Sequence, residues 1–294
     1  MNIIKYRNWF FALSLAVIIP GLIALFTWHL KLGIDFEGGT LWEIKFADPN
    51  VGPKTLQDYL AKNQVKVSQV AKTTSGSILL RLKVTDETKI KEIKDKIGPT
   101  LSYEEVRLET VGPVISKELT QKAALALAIS ILAIVTYITW AFRKVSKPAS
   151  PIAFGVCTII ALVHDVIVVI GIFAILGHFF GIEVDSLFIT ALLTVLGFSV
   201  HDTIVVFDRI RENLRKHSDF SFEEIVNHSL LQTVGRSLNT SLTVVFVLLA
   251  LLLFGGESIK TFVLALLIGI ISGTYSSIFN AAPLLVVWQK FKSK

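Results

Sequence analysis

Residues 190–213 read TALLTVLGFSVHDTIVVFDRIREN, an apolar run that ends in a charged segment. The run has the length and composition of a membrane span, yet it contains Asp202 about one and a half helical turns before the apolar part ends. A carboxylate inside a span costs roughly 2.5–3.5 kcal/mol on insertion scales. An aspartate at this position therefore indicates either pairing with another residue or a functional role, and we looked for the corresponding residues in the rest of the chain.

The whole chain is too apolar for an ordinary soluble domain. Of its 294 residues, 52% are hydrophobic, and the mean hydropathy is +0.64. The formal net charge of +6 comes from Lys and Arg that fall mainly at alternate ends of the apolar segments, a pattern of membrane orientation. This placement argues against a nucleic-acid partner and favours contact with membrane lipid. Cys157 is the single cysteine and has no partner for a disulfide.

Six segments are predicted to span the membrane: residues 9–30, 119–142, 151–176, 186–207, 233–254 and about 260–288. The first is long for a signal-peptide core and no small-residue cleavage site follows it, so we expect it to be retained. Lys and Arg in the short loops place both termini in the cytoplasm. The predicted domains are residues 1–30 (terminus and first span), 31–120 (an extracytoplasmic domain) and 121–294 (the other five spans).

Residues 31–120 are polar and are predicted to form a small α+β domain. Alternating patterns predict strands at 40–46, 65–72, 77–84 and 103–111, with a hairpin turn at 73–76. Helical patterns follow Pro53 and the capping residue Thr85, giving helices at 53–62 and 85–97. The order β-α-β-β-α-β is that of a ferredoxin-like module. The predicted fold class is thus a polytopic α-helical membrane protein with six transmembrane helices and one extracytoplasmic ferredoxin-like module between spans 1 and 2.

The polar residues inside the spans are the candidate functional residues. Ser199 lies one turn before Asp202, and in the fifth span Arg236 begins a stripe that includes Asn239 and Thr240. Asp202 and Arg236 lie roughly 8 and 11 Å on the cytoplasmic side of the centres of their helices, so adjacent antiparallel helices could pair them. Such a pair is either a structural clasp or a proton-responsive switch, in which Asp202 gains a proton when the pair separates.

Two further sites are weaker candidates. The third span carries His164-Asp165, for which hydrogen bonding between helices is the simpler interpretation, and His201 precedes Asp202. A His-Asp doublet also occurs in metal phosphohydrolases, but the additional ligands of such a site are missing, so no metal is expected. No phosphate-binding loop is present, so the chain is not expected to hydrolyse ATP.

Three motifs together resemble the SecF family, the smaller membrane subunits of the SecD–SecF factor of Sec-dependent protein export. They are Gly33-Ile-Asp35-Phe36-Glu-Gly38-Gly39, residues 197–213 and residues 235–241. The resemblance covers nearly the whole chain. It implies a non-enzymatic subunit of the bacterial cytoplasmic membrane that needs no cofactor and uses the proton motive force. It also implies that Asp202 and Arg236 form the intramembrane charged pair associated with proton passage.

The implied partners are SecD, the SecYEG channel and an exported preprotein, with YajC and YidC as further candidates. Two other functions stay open at this point. A small-molecule exporter of the resistance-nodulation-division kind would carry twelve spans and large paired outer domains in one chain. A passive scaffold of the channel would use the charged pair only as a clasp.

Overall fold

The structure is a computed structural model, and it describes residues 2–48, 50–65, 67–73, 76–97, 101–145, 148–216 and 219–292. The chain divides into two units, one formed by Met1–Lys31 with Leu125–Lys294 and the other by Leu32–Ala124. The middle of the hairpin turn predicted at 73–76 lies outside the described residues. The first unit begins with the 3-10 turn Ile4–Tyr6 and helix α1 (Arg7–Trp28).

The second unit is a four-stranded antiparallel sheet with helices. Its elements are α2 (Ile34–Glu37), β1 (Gly39–Phe46), α3 (Pro53–Lys62), β2 (Val67–Lys72), β3 (Ile78–Leu82), α4 (Glu87–Ile97) and β4 (Tyr103–Val111). From β1 onward this is the predicted β-α-β-β-α-β order. The strands lie in the order β2-β3-β1-β4, with Thr40 opposite both Leu82 and Thr110. Trp42, Leu56 and Leu80 are fully buried in the core between sheet and helices.

The remaining helices are α5 (Pro113–Ala141), α6 (Pro151–Phe180), α7 (Ser186–Lys216), α8 (Phe222–Phe254), α9 (Lys260–Ser276) and α10 (Ala282–Lys292). A π-helical turn, Ser277–Ala281, joins α9 to α10. Within the described ranges, six helices are long and apolar enough to cross a membrane, the last being α9 and α10 together. Their number matches the prediction.

Several helices extend beyond the predicted spans because polar residues continue the helix past the apolar run. Helix α7 runs to Lys216, and Glu212 forms ion pairs along its surface with Arg209 and Lys216. Pairs three and four residues apart stabilise helical turns. Helix α8 starts at Phe222 rather than 233, because Ser221 and Glu224 form a reciprocal capping box.

Small residues bring α1, α6, α7 and α9 close together. A Cβ atom added at Gly21 of α1 would lie 3.0 Å from the Cα of Gly171 on α6. One added at Gly273 of α9 would lie 2.9 Å from the Cβ of Ser199 on α7, and Gly269 lies against Val195 in the same contact. Close backbone approach through small residues is characteristic of helix packing in membranes. It places the polar residues of α6, α7, α8 and α9 within hydrogen-bonding distance.

Candidate functional site

Asp202 lies inside the bundle, on the face of α7 that packs against α8 and α9. The residue is only 2% exposed to solvent. Ser241 of α8 donates a hydrogen bond from Oγ to Asp202 Oδ2 at 3.4 Å, and the hydroxyl groups of Ser237 and Thr274 also lie beside the carboxyl group. Ser241 and Thr274 are themselves hydrogen-bonded at 2.6 Å. The surroundings of Asp202 are thus neutral hydroxyl groups from two helices.

Asp165 of α6 is a second buried carboxyl group, and it is bound far more completely. The residue is fully buried. Three hydroxyl groups donate to its oxygens: Ser199 at 2.6 Å, Ser276 at 2.7 Å and Ser272 at 2.8 Å. His164 Nδ1 lies 3.0 Å from Oδ1. Asp165 therefore ties α6 to α7 and α9, as the simpler interpretation of the His164-Asp165 doublet predicts.

Ser199 binds one of the two carboxyl groups and lies one helical turn from the other. Its hydroxyl donates to Asp165, while its backbone carbonyl accepts hydrogen bonds from the hydroxyl groups of Thr203 at 3.1 Å and of Ser277 at 3.1 Å. Ser199 and Asp202 are three residues apart on α7, a spacing that places side chains on the same helical face. The buried polar residues of α6, α7, α8 and α9 consequently form one cluster around the contact between α7 and α9.

Arg236 does not pair with Asp202 in this structure. Arg236, Asn239 and Thr240 are exposed on α8. Across the described parts of the chain, the ion pairs within 4.0 Å do not include Asp202 with Arg236. The expected direct contact is therefore not made. Residues 236 and 237 differ by about 100° around a helix, so Ser237 faces the bundle while Arg236 faces away from it.

The other predicted residues are not gathered at Asp202. His201 is exposed beside it on α7. Gly33, Asp35, Phe36, Gly38 and Gly39 lie in the sheet unit, where Gly33 precedes α2 and Gly38 ends it. Gly39 has a φ of +122°, and a Cβ atom there would lie 2.5 Å from the carbonyl oxygen of Leu82. A side chain at this position would thus push β1 away from β3. The motif therefore needs glycine here for a structural reason.

Sequence reasoning missed four hydroxyl residues of the site: Ser237, Ser241, Ser272 and Thr274. The stripe that begins at Arg236 was the more conspicuous pattern on α8, but the buried stripe is offset by one residue. Thr233, Ser237, Ser241 and Leu248 are buried. The spacing of Ser237 and Ser241, four residues apart, was the available signal for a polar face directed into the bundle.

The two carboxyl groups differ in what they can do chemically. Asp165 is surrounded by four hydrogen-bond donors, three hydroxyl groups and Nδ1 of His164, at 2.6 to 3.0 Å. Around Asp202 the hydroxyl group of Ser241 lies at 3.4 Å, with those of Ser237 and Thr274 beside it, and no Lys or Arg lies within 4.0 Å among the described ion pairs. Neutral burial disfavours a charge. Asp202 is therefore the buried carboxyl group with the weaker hydrogen bonding of the two.

Comparison with known proteins gives the family. Residues 89–291 match the family described as "Protein export membrane protein SecD/SecF, C-terminal". A Protein translocase subunit SecF of Thermobaculum terrenum is 51% identical, with 98% of this chain and 94% of that protein covered. A Protein translocase subunit SecF of Anaerolinea thermophila is 45% identical over 98% of this chain and 94% of that protein.

A solved structure gives the same result. The crystal structure of SecDF from Thermus thermophilus, described as a translocon-associated membrane protein, superposes with a TM-score of 0.86 at 34% identity. The match covers 99% of this chain but only 39% of the length of that protein. Together with the six apolar helices, these matches identify a multi-pass bacterial membrane protein with a role in transport. This chain belongs to the SecD/SecF family of protein export membrane proteins and, within it, groups with the translocase subunits named SecF.

Proposed function

We propose that this chain couples proton movement across the cytoplasmic membrane to Sec-dependent protein export, with Asp202 as the group that binds the proton. The observation that carries the proposal is the contrast between two buried carboxyl groups. Asp165 accepts short hydrogen bonds from three hydroxyl groups at 2.6 to 2.8 Å, whereas the hydroxyl group of Ser241 lies 3.4 Å from Asp202, beside those of Ser237 and Thr274. A group that must alternate between charged and neutral forms needs surroundings that tolerate both.

Arg236 supplies the second part of the mechanism, through a partner subunit. An arginine exposed on a membrane-spanning helix requires a polar or acidic neighbour, because charged side chains are unfavourable in hydrocarbon. The exposed stripe of Arg236, Asn239, Thr240 and Thr243 on α8 is suited to the helices of SecD. In the proposed cycle, protonation of Asp202 changes the packing of α7 against α8, and the exposed stripe of Arg236 passes that change to SecD. SecYEG and the exported preprotein, with YajC and YidC, are the further proposed partners.

The orientation of the bundle sets the direction of this cycle. Arg7 at the start of α1 lies 3.0 Å from Glu223 at the start of α8, and Lys290 of α10 also pairs with Glu223. Basic residues of two helices thus collect at one end of the bundle, which supports a cytoplasmic position for that end. The sheet unit, read as a ferredoxin-like module, would then lie outside and transmit the change to the exported chain. No chemical reaction is required of this subunit.

Energetically, the membrane potential is sufficient to bias such a cycle. Moving one elementary charge through 100 mV supplies about 2.3 kcal/mol. An equilibrium between two packings of the bundle shifts about tenfold for each 1.4 kcal/mol. One proton per cycle therefore changes the populations by more than an order of magnitude, provided that the charge crosses most of the field.

Export into inner-membrane vesicles tests the proposal. The vesicles contain the complete export complex, and completion of export is measured with and without an imposed proton gradient for wild type, Asp202→Asn and Asp202→Glu. We expect the gradient to stimulate wild type strongly, Asp202→Glu partly and Asp202→Asn not at all. Asp58→Asn, which changes an exposed carboxylate on α3, controls for loss of charge elsewhere. Co-purification with SecD shows that each variant still assembles.

Equal stimulation of Asp202→Asn and wild type would instead favour the passive scaffold. In that case the buried polar residues around Asp202 only fix the contact of α7 with α8 and α9.

A further inference from the structure

One face of helix α10 is only partly covered by the rest of the bundle. Its residues recur at the spacing i, i+3, i+4, i+7 and i+8, which places them on one side of a helix. They are Leu284, Val287, Trp288, Phe291 and Lys292. Four of the five are apolar, and the last three are exposed. This face has no part in the proposed proton cycle.

Helix α6 completes this face of α10 to a groove. Cys157 and Ile160, three residues apart on α6, form the opposite wall, and the groove has a volume of about 420 Å³. Cys157 is buried, whereas Ile160 is 44% exposed, so the groove is open along one side. Among the described residues that line it, Lys292 is the one with a charged side chain.

The groove has the depth of one membrane leaflet. Leu284 precedes Lys292 by eight residues, or about 12 Å along α10. Cys157 and Ile160 follow the first residue of α6 by six and nine residues, or about 9 and 14 Å. Each leaflet contributes about 15 Å to a hydrocarbon core of about 30 Å. The groove therefore lies within one leaflet, with Trp288 and Lys292 toward its polar boundary, where such residues are common.

Lys292 differs from Lys290, which lies on another face of α10. Lys290 pairs with Glu223 at 2.5 Å, and Glu223 also binds Arg7. In the part of the chain that the structure describes, Lys292 forms no ion pair within 4.0 Å. A lysine can lay its methylene groups along an apolar surface and hold its ammonium group at the membrane boundary. The mouth of an apolar groove thus carries a positive charge that no carboxylate of the described chain balances.

The geometry points to a binding site for an anionic phospholipid, with one acyl chain in the groove and the headgroup phosphate at the ammonium group of Lys292. The apolar walls formed by α6 and α10 suit the acyl chain. Basic side chains at the ends of membrane helices attract anionic headgroups. In the proposed orientation, this lipid belongs to the cytoplasmic leaflet. The site goes beyond the proposed proton coupling and does not depend on Asp202.

An acyl chain fits this groove better than a helix of a partner protein does. A helix with its side chains is about 10–12 Å across, so a length of about 12 Å occupies on the order of 1,000 Å³. That is more than twice the groove volume of about 420 Å³. A lipid in the groove contacts both α6 and α10. It therefore helps to hold α10 in place after the π-helical turn Ser277–Ala281.

Photocrosslinking in liposomes tests the site. The full chain is reconstituted with SecD in phosphatidylcholine liposomes that contain a minor amount of a lipid probe. The probe is either phosphatidylglycerol or phosphatidylcholine, with the same diazirine group in one acyl chain, and labelled peptides are identified by mass spectrometry. We expect the phosphatidylglycerol probe to label the α6 and α10 peptides of the groove about fivefold more strongly than the phosphatidylcholine probe.

Lys292→Glu tests the recognition of the headgroup. It reverses the charge at the mouth of the groove, so we expect labelling by the phosphatidylglycerol probe to fall about fivefold or more, and labelling by the phosphatidylcholine probe to change little. Lys5→Glu is the matched control, because Lys5 is exposed near the Arg7–Glu223–Lys290 cluster and does not line the groove. It should leave the labelling of the groove unchanged.

Ile160→Trp tests the position of the acyl chain. The larger side chain occupies part of the groove, so labelling by both probes should fall. Ile129→Trp, at an exposed apolar position of α5, is the control. Co-purification with SecD shows that each variant assembles, and Ile160→Phe replaces Ile160→Trp if the tryptophan prevents assembly.

Two results would overturn the inference. Equal labelling by the two probes, unchanged in Lys292→Glu, would mean that the groove holds bulk lipid without recognising the headgroup. No labelling of the groove by either probe would mean that protein covers it.

Discussion

At the scale of single residues, the two buried carboxyl groups of the bundle differ in the hydrogen-bond donors that surround them. Asp165 has hydroxyl groups from two other helices at 2.6 to 2.8 Å. Around Asp202 the hydroxyl group of Ser241 lies at 3.4 Å, with those of Ser237 and Thr274 beside it. The sequence marks both aspartates because each interrupts an apolar run. The sequence does not show which aspartate has more hydrogen-bond donors around it. Serine and threonine are common in apolar helices, and the direction of their hydroxyl groups depends on how the helices pack.

The serines around Asp165 give the first prediction. Ser276→Ala removes a hydroxyl that donates to the carboxylate at 2.7 Å. Hydrogen bonds to charged groups contribute about 1.5–3 kcal/mol, although interhelical hydrogen bonds in membranes average nearer 0.6 kcal/mol. We expect the free energy of unfolding in detergent to fall by about 1–2 kcal/mol. Ser258→Ala, at an exposed position, is the control. Equal stability of Ser276→Ala and the control would show that the hydroxyl contributes nothing to Asp165.

At the scale of elements, the contact of α7 with α9 positions the site. Gly269 and Gly273 allow α9 to lie directly on Val195 and Ser199 of α7. The small and polar residues of the sixth span are buried: Gly269, Gly273, Ser276, Ser277 and Asn280. The π-helical turn Ser277–Ala281 was not predicted, because a shift in backbone hydrogen bonding has no composition that distinguishes it from an α-helix.

The glycine of this contact gives the second prediction. Gly273→Ala introduces a Cβ atom 2.9 Å from the Cβ of Ser199, so α7 and α9 must separate. Overpacking typically costs 1–3 kcal/mol, that is, roughly as much as a buried hydrogen bond to Asp165 contributes. We expect Gly273→Ala to lower the thermal midpoint of the complex and to weaken the gradient's effect on export.

The matched control is Gly197→Ala on α7, where a new Cβ atom meets nothing within 4 Å. Alanine is favoured over glycine in a helix by up to about 1 kcal/mol, so this variant should be as stable as wild type or more so. If both variants lose stability alike, the α7–α9 contact is not as tight as the backbone distances indicate.

At the scale of the whole molecule, composition and periodicity were sufficient for the main architecture. The number of spans and the order of elements in the sheet unit follow from apolar runs and alternation, and both are observed. Helix ends were less predictable, since Arg209, Glu212 and Lys216 extend α7 by local ion pairs that hydropathy does not detect. The contact between Asp202 and Arg236 was expected from their similar depth in the membrane and from the family resemblance. Depth does not fix rotation around the helix, and Arg236 faces outward.

Topology across the membrane gives the third prediction. In a Cys157→Ala background, Lys62→Cys places a thiol on the exposed surface of the sheet unit, and Arg215→Cys places one at the end of α7. We expect a membrane-impermeant maleimide to label Lys62→Cys in intact spheroplasts and to label Arg215→Cys only after lysis, because basic loops stay in the cytoplasm. The reverse labelling would invert the proposed orientation, and with it the direction of proton flow.

The central claim is that protons pass by way of Asp202, and proton flux measures this most directly. The complex with SecD is reconstituted in liposomes with a pH-sensitive dye inside, and the decay of an imposed pH gradient is recorded for wild type, Asp202→Asn and Asp202→Glu. The account predicts that wild type dissipates the gradient faster than empty liposomes, that Asp202→Glu retains part of this flux, and that Asp202→Asn does not exceed empty liposomes. Flux through Asp202→Asn at the wild-type rate would contradict the account.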